Sequence, residues 1–468
     1  YLYSGALLVF SIVVFMTAIF QEQVKVAQNV HPLLSFFIFW ALIIWLAMME
    51  GGQGCLVGLQ PVDKDLYEYT HKVSFKCTTL AHRGNNMERF IVGRQFLVVL
   101  IIFVINLCGA AIVDAKVFGL GDWANEVFLG SGIAMIMTTI MVGQLTAQIN
   151  AANCMLDFVN NYFMLLTTYV SLMIEFSGIL HIVYVVQLFF AKIAGKSIES
   201  KEQPRSTIQK LFFWTRVVMS LAILVLAFLV TIKALLEGKT TMWDVGIPPY
   251  AAVILFLVLM CIIGILEGMQ IALFAVINIP ADELKQHSIA YANCQLTFFR
   301  QNLQAFLIGR QICVTICMFA VARITTLDYW INDNERNIFD LPDALQGILN
   351  TGLMGAIITT IVASLVWRVI ASSYPVPFLS NPLVYVIIRL CLLVDAAGVC
   401  AVSWLLAMIH KHVAGYEPDE VYIGTADDRL GGKQGLKQQE MREQSSSDLD
   451  LEALPSESGS FEMEGDMA

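Results

Sequence analysis

The sequence at residues 32–53 reads PLLSFFIFWALIIWLAMMEGGQ, an apolar run that ends in the polar signature Glu50-Gly51-Gly52-Gln53. A second apolar run, which begins at Pro248, ends in Glu267-Gly268-Met269-Gln270. Charged and amide side chains at membrane depth are costly unless they line a cavity or find partners. The two signatures lie in different halves of the chain. This duplication indicates one site that is built from two related halves.

A second short motif follows each signature. Gly93-Arg94-Gln95 opens the next apolar run in the first half, and Gly309-Arg310-Gln311 does so in the second. Arginine presents a rigid fork of donors that holds a carboxylate, so each arginine is predicted to pair with a signature glutamate, within or across the halves. Paired charges and amides that both donate and accept favour a small neutral solute with several hydroxyls. The alternative interpretation is that these groups only hold helices together.

Composition indicates a polytopic membrane protein. Of 468 residues, 57% are hydrophobic and 14% are charged, whereas soluble domains carry about 25% charged residues. A helix that crosses the hydrocarbon core needs about 20 apolar residues. The first apolar stretch lacks a basic n-region and is predicted to be a transmembrane helix rather than a signal peptide. The ten predicted spans are Tyr3–Phe20, Pro32–Leu59, Ile91–Val113, Val127–Ile149, Val159–Ile193, Leu211–Leu236, Pro248–Ile279, Leu307–Ala322, Leu345–Ile370 and Leu383–His410.

The spans divide the chain into two halves. Residues 1–193 are predicted to form a first five-helix repeat and residues 211–410 a second, joined by a polar linker at 194–210. Since five is odd, the second half would enter the membrane upside down, as in the inverted repeats of secondary transporters. Residues 411–468 are acidic and rich in serine, a composition that predicts a disordered tail.

The two spans that carry the signatures are longer than a membrane requires. At 1.5 Å per residue, both exceed the ~30 Å hydrocarbon core. Glycine is a poor helix former, so the sequence predicts broken helices at Gly51-Gly52 and at Gly268. Unwound backbone persists at membrane depth only where it is buried in protein or lines a water-filled cavity. The breaks would therefore lie at a binding site.

Two further acids, Glu175 and Asp395, lie at equivalent places within the apolar sequence of the two halves. An intramembrane carboxylate is a functional hypothesis by default, and both are candidates to hold sodium or a proton. Each could instead pair with an arginine at a helix end, such as Arg389. Threonine hydroxyls are further candidate ion ligands, although threonine often bonds its own helix backbone. These threonines are Thr138, Thr139, Thr359 and Thr360.

The ten cysteines form no paired Cys-x-x-Cys motif, and most lie in or beside apolar segments, where they act as small hydrophobes. We therefore expect neither a disulfide framework nor a metal site. His71 and His287 precede the Gly-Arg-Gln motifs on polar segments and are predicted to face solvent. Outside the tail the acidic and basic residues nearly balance, so no nucleic-acid partner is expected.

The ordered motifs, together with Cys154-Met155-Leu156-Asp157, resemble the silicon (silicic acid) transporters of diatoms. The resemblance implies sodium-coupled uptake of orthosilicic acid across the plasma membrane, with ten spans and both termini cytoplasmic. It implies no cofactor beyond sodium as the coupling ion. The tail lacks the apolar heptads of the coiled coil that is frequent in this family, so an oligomer is possible but not indicated. Substrate contact is implied for Glu50, Gln53, Gly93, Arg94, Gln95, Glu267, Gln270, Gly309, Arg310 and Gln311.

Two alternatives remain open at this point. One is a transporter of another small neutral hydroxylated solute, driven by protons through Glu175 and Asp395. The other is a passive channel for such a solute. An enzyme is not expected, because the apolar segments carry no nucleophile–base pair and no cluster of metal ligands. Lysine and arginine are spread almost evenly over the two sides of the predicted topology, so the positive-inside rule does not fix its orientation.

Overall fold

The computed structural model describes residues 1–112, 114–195, 202, 204, 206–242, 246–277, 279, 284–328, 337–340 and 342–424. Within these residues the chain is helical, and eight helices are long and apolar enough to cross a membrane. Residues 1–417 form one compact unit. Part of the predicted linker and residues 425–468 of the predicted tail lie outside the described part. The eight helices are Leu2–Phe20, Pro32–Gly58, Asn86–Gly109, Ile133–Asn153, Thr207–Glu237, Pro249–Val276, Asn302–Thr325 and Leu353–Ser373.

The fifth and tenth predicted spans are each interrupted. The fifth span consists of the helices Tyr162–Phe176 and Ile182–Ile193. The tenth consists of the helices Pro382–Ala396 and Val402–Ala414. Between the two helices of each pair lies a glycine with positive φ, 90° at Gly178 and 67° at Gly398. Glycine adopts this conformation without a steric penalty, which allows the chain to leave the helix there. The prediction of one continuous apolar span at each place is therefore wrong.

The predicted breaks at the signatures are also wrong. Helices Pro32–Gly58 and Pro249–Val276 run without interruption through both signatures. The glycines serve close packing: a Cβ on Gly51 would overlap the ring of Phe158, and one on Gly268 would meet Phe378. At 1.5 Å per residue, each helix is about 40 Å long. Membrane helices of such length are accommodated by tilting, by kinking or by local thickening of the bilayer.

Helical winding changes elsewhere, inside two of the spans. Thr139–Leu145 and Thr359–Leu365 are π-helical and are continued by the α-helices Thr146–Asn153 and Val366–Ser373. The α-helical turns before them follow a glycine with φ of 79° in both halves. Such π segments are rare and lie frequently at functional sites. The repeated Thr-Thr-Ile motif marks both places.

The helices that carry the Gly-Arg-Gln motifs lie at the centre of the unit. Asn86–Gly109 packs along Tyr162–Phe176, and Asn302–Thr325 packs along Pro382–Ala396. The two motif helices also contact each other. Most of their residues are buried, whereas several large apolar side chains are exposed on the helices Leu2–Phe20, Pro32–Gly58, Thr207–Glu237 and Pro249–Val276. A buried centre with an apolar exterior is the arrangement expected of a bundle surrounded by lipid. The exposed side chains include Phe37, Ile44, Val218, Leu229, Ile254 and Leu257.

The remaining described elements connect these helices. Val24 and Ala111 form an isolated antiparallel bridge, and so do Thr240 and Leu327. Each bridge joins the segment before a signature helix to the segment after the motif helix of the same half. The shorter helices are Lys25–Asn29, Lys72–Ala81, Asp122–Asn125, Met155–Val159, Ser288–Phe298, Asp343–Asn350, Pro375–Leu379 and Glu420–Ile423.

Candidate functional site

A cavity of about 1120 Å³ receives side chains from both halves. Its walls include residues of both signature helices, both motif helices and the helices that follow the π segments. The structure therefore brings the two copies of the polar motifs to one space. The predicted site residues that line it are Glu50, Gln53, Arg94, Gln95, Glu267, Gln270, Arg310 and Gln311.

In the first half, Arg94 organises the polar groups. Its side chain is only 2% exposed, and its Nη1 lies 3.7 Å from Oε2 of Glu50. Nη2 donates to Oε1 of Gln95 at 2.8 Å, and Nη1 donates to the carbonyl of Met49 at 3.4 Å. Gln148 completes this half-site by donating from Nε2 to Oε2 of Glu50 at 3.2 Å. The predicted ion pair is thus formed within the half.

The second half repeats this arrangement with one change. Nη1 of Arg310 lies 3.8 Å from Oε2 of Glu267, and its Nη2 donates to Gln311 at 2.9 Å. A further arginine, Arg368, donates to the same Glu267 oxygen from Nη2 at 2.6 Å and from Nε at 3.1 Å. Arg368 therefore makes the closest ionic contact in the cavity.

The sequence motifs did not identify Arg368 or Gln148. These two positions have the same separation along the chain as Glu175 and Asp395, and each lies within one helical turn after a π segment. A search for polar residues at this separation within apolar sequence would identify both positions. A search for repeated motifs does not, because one residue is an amide and the other a cation.

Gly93 and Gly309 have a different role from their neighbours. Neither is among the described residues that line the cavity. A Cβ on Gly93 would overlap the backbone carbonyl oxygen of Ser171, and one on Gly309 would overlap that of Cys391. These glycines let the motif helix approach its partner helix, which sets the position of the adjacent arginine. Substrate contact by the two glycines stays a prediction.

Of the predicted ion-coupling acids, Glu175 lies in a polar cluster and is only 5% exposed. The hydroxyl of Tyr184 donates to Oε1 of Glu175 at 2.9 Å, and Nε2 of His181 lies 3.7 Å from the same oxygen. Tyr184 also lines the cavity. Glu175 is therefore connected to the cavity through one side chain.

Asp395 has different surroundings from Glu175. It is half-buried, and the positions of the second half that correspond to His181 and Tyr184 hold Ala401 and Trp404. Arg389, the predicted alternative partner of Asp395, donates from Nη2 to the hydroxyl of Tyr385 at 2.9 Å. The two acids are thus equivalent in sequence position but not in environment.

The predicted threonine ligands donate to their own helices. Each hydroxyl bonds the backbone carbonyl of the preceding helical turn, at 2.7–2.9 Å. These bonds occupy the hydroxyl protons and leave the lone pairs on the oxygens. The four residues are buried at the start of the two π segments and are Thr138, Thr139, Thr359 and Thr360.

The Cys-Met-Leu-Asp motif lies outside this cluster of charges. Oδ1 of Asp157 lies 3.1 Å from Nε2 of His71, and its Oδ2 accepts from the backbone amide of Glu417 at 2.7 Å. The prediction that His71 faces solvent is wrong, because it is only 3% exposed; His287 is exposed as predicted. Asp157 therefore joins the helix of His71 to the end of the compact unit.

Other chemistry is limited in the described part of the chain. No group of three or more histidine, cysteine, aspartate or glutamate side chains is placed to hold a metal ion there. All ten cysteines are free thiols. The polar groups that converge are thus carboxylates, guanidinium groups and amides around one cavity.

Comparison with known proteins shows the family to which this chain belongs. Neither the curated proteins nor the solved structures contain a match to this chain. A model of the silicon transporter family matches residues 1–460, which includes every helix described above. The chain therefore belongs to the silicon transporter family.

Proposed function

We propose that this protein is a secondary active transporter that couples the uptake of orthosilicic acid to sodium across the plasma membrane. Family membership implies transport of silicic acid. The proposed mechanism is alternating access around the central cavity, between two five-span halves of inverted topology with both termini cytoplasmic. The observation that carries the proposal is the convergence of both polar motif sets on one cavity, as is expected for a binding site at a repeat interface.

The chemistry of the cavity suits this solute. Silicic acid is a weak acid with four hydroxyls, each of which donates and accepts a hydrogen bond. The four amides of the repeated motifs face the cavity, and each offers both donors and an acceptor. A water molecule occupies about 30 Å³ in the liquid, so a cavity of about 1120 Å³ holds a small solute together with water. The amides are Gln53, Gln95, Gln270 and Gln311.

Sodium requires a binding site away from the arginines of the cavity. Three guanidinium groups surround the signature glutamates, so the centre of the cavity repels a cation. Glu175 and Asp395 remain the proposed carboxylate ligands. The π segments add candidate oxygens, because widening an α-helix to a π-helix changes which backbone carbonyls are bonded. We propose that the threonine oxygens at Thr139 and Thr359 contribute lone pairs there.

Uptake into proteoliposomes tests the proposal. Purified protein should accumulate silicic acid above the external concentration when a sodium gradient points inward, and should stop doing so when the gradient is removed. Gln53→Ala and Arg94→Ala should reduce uptake at equal amounts of reconstituted protein. Unchanged uptake in both variants would refute the role of the motifs in binding.

A proton-coupled transporter is a second candidate because of one observation. The Glu175–Tyr184 hydrogen bond, with His181 beside it, connects a buried carboxyl to the cavity. Such a chain of hydroxyl, carboxyl and imidazole groups carries protons in pumps and transporters. Uptake that follows a pH gradient and ignores sodium would favour this candidate. Equilibration without accumulation under either gradient would instead indicate a passive channel.

A further inference from the structure

The two half-sites of the cavity differ in charge. Glu50 has one guanidinium neighbour, Arg94, and one amide neighbour, Gln148. Glu267 has two guanidinium neighbours, Arg310 and Arg368. Gln148 and Arg368 occupy corresponding positions of the two halves. The difference between the halves is therefore a single substitution of a cation for an amide.

The five charges act as one cluster. Arg94 is within electrostatic reach of both signature glutamates and of both second-half arginines. In the described part of the chain, the cluster thus contains three arginines against two glutamates, which leaves one positive charge in excess. The remaining acidic lining residue, Glu88, is exposed and is not one of these five charges. The excess charge sits where water is displaced when a solute binds.

Arg310 offers the donors that could meet a negative charge. Nη2 of Arg368 lies 2.6 Å from Oε2 of Glu267, whereas Nη1 of Arg310 lies 3.8 Å from the same oxygen. As a result, the buried Nε and Nη1 of Arg310 have no hydrogen-bond partner among the described residues. Arg310 is 6% exposed and lines the cavity. A buried guanidinium without its hydrogen bonds is costly, and a ligand that accepts from it recovers that cost.

We propose that this cluster binds a monoanion at Arg310, and that Arg368 is the positioning residue that makes the site prefer an anion. Arg368 neutralises Glu267 and thereby frees the guanidinium of Arg310. Two sources supply such a ligand: the solute in its ionised form, with one hydroxyl deprotonated, or chloride. The first source rests on the proposed function, because it requires a weak oxyacid as solute. Both would be held by the same charge-assisted contact.

The solute itself carries the pH dependence in this proposal. The ionisable groups that face Arg310 are Glu267, Arg368 and the thiols of Cys313 and Cys391. Arg94 lies within electrostatic reach of it from the other half. A variant that changes only Arg368 therefore separates a response of the ligand from a response of these groups.

Ligand binding to the purified full-length protein tests the proposal. Thermal stabilisation by silicic acid should be measured between about pH 7 and about pH 9, in chloride and in gluconate, because a ligand that binds the folded protein stabilises it by an amount that rises with the logarithm of its concentration divided by its Kd. If the solute is the anion, its affinity should rise roughly tenfold per pH unit below its own pKa. If chloride is the anion, sodium chloride should stabilise the protein and sodium gluconate should not.

Three variants of the full chain act as controls. Arg368→Gln copies the first half-site and should abolish whichever dependence the wild type has. Arg368→Lys keeps the charge and should retain the dependence. The double variant Gln148→Arg/Arg368→Gln moves the cation to the other half and should restore the dependence that the single variant loses. A residue with a merely structural role would not be rescued in this way.

Several results of these binding measurements would overturn the proposal of an anion site at Arg310. Wild-type protein that binds silicic acid equally at all pH values and ignores chloride would overturn the proposal. So would an Arg368→Gln variant that keeps the wild-type dependence. If that variant does not fold, Gln148→Arg alone adds a second excess charge to the intact protein and should strengthen the dependence; no change would overturn the proposal as well. Anion-dependent binding without sodium-driven uptake would leave this inference standing and refute the proposed function instead.

Discussion

Replacing Gly93 by alanine tests whether the Gly-Arg-Gln motif sets the distance between two helices. The added Cβ would overlap the carbonyl oxygen of Ser171, which belongs to the backbone of helix Tyr162–Phe176 and has no rotamer by which to move away. Ordinary contacts between carbon and oxygen lie at about 3.3–3.6 Å. To reach such a contact, the two helices must separate by more than about 1 Å, which displaces the neighbouring Arg94.

The expected energy comes from two opposing effects. Overpacking a close contact costs about 1–3 kcal/mol, whereas glycine to alanine inside a helix contributes about 1 kcal/mol of stability. Gly54 supplies a matched control, because it lies in helix Pro32–Gly58 and a Cβ there would meet nothing within 4 Å. Gly54→Ala should therefore stabilise the protein, and because the helix term is common to both, the two variants should differ by the overpacking cost of about 1–3 kcal/mol.

Thermal unfolding of the purified protein in one detergent measures this difference. The midpoint of Gly93→Ala should fall below that of the wild type, and the midpoint of Gly54→Ala should not. Gly309→Ala should behave like Gly93→Ala, since its Cβ would overlap the carbonyl oxygen of Cys391. Equal midpoints for Gly93→Ala and Gly54→Ala would refute the argument that the motif glycine exists for close approach.

The remaining predictions concern other contacts of the same unit. Arg94→Gln should cost on the order of 3 kcal/mol of stability, because its glutamate is left with only an amide; Arg310→Gln should cost much less, since Arg368 still pairs with the second glutamate. Equal losses in chemical denaturation would contradict this. Thr359→Val should leave the sodium concentration for half-maximal uptake unchanged if only its bond to its own helix matters; a several-fold rise would instead support a sodium ligand. Asp157→Ala should speed amide hydrogen exchange at residues 411–417, whereas Asp122→Ala, which removes an exposed pair, should not.

The polar site was predictable because short sequence motifs within apolar runs contain both members of each ion pair. A glutamate and an arginine within apolar runs need each other at membrane depth, and Glu50–Arg94 and Glu267–Arg310 lie 3.7 Å and 3.8 Å apart. Duplication then predicted that both pairs share one site. Arg368 could not be recognised in the same way, because the position that corresponds to it in the other half is an amide.

The winding of the helices was less predictable. Glycine is compatible with a helix break and with a close helix contact, and only the position of Phe158 beside Gly51 distinguishes them. That ring belongs to the short helix Met155–Val159, which is distant from the glycine along the chain, so no local rule connects them. At Gly178 and Gly398 the outcome is the opposite, since a positive φ ends the helix there.

The π segment at Thr359–Leu365 fixes the rotational phase of everything that follows it in its span. Successive residues of an α-helix are about 100° apart around the axis. Winding the same residues as a regular α-helix, with none removed, would turn Arg368 about that far around the helix, away from Glu267. The wider winding of this segment therefore sets the direction in which Arg368 points, and with it whether the second half-site has its second cation.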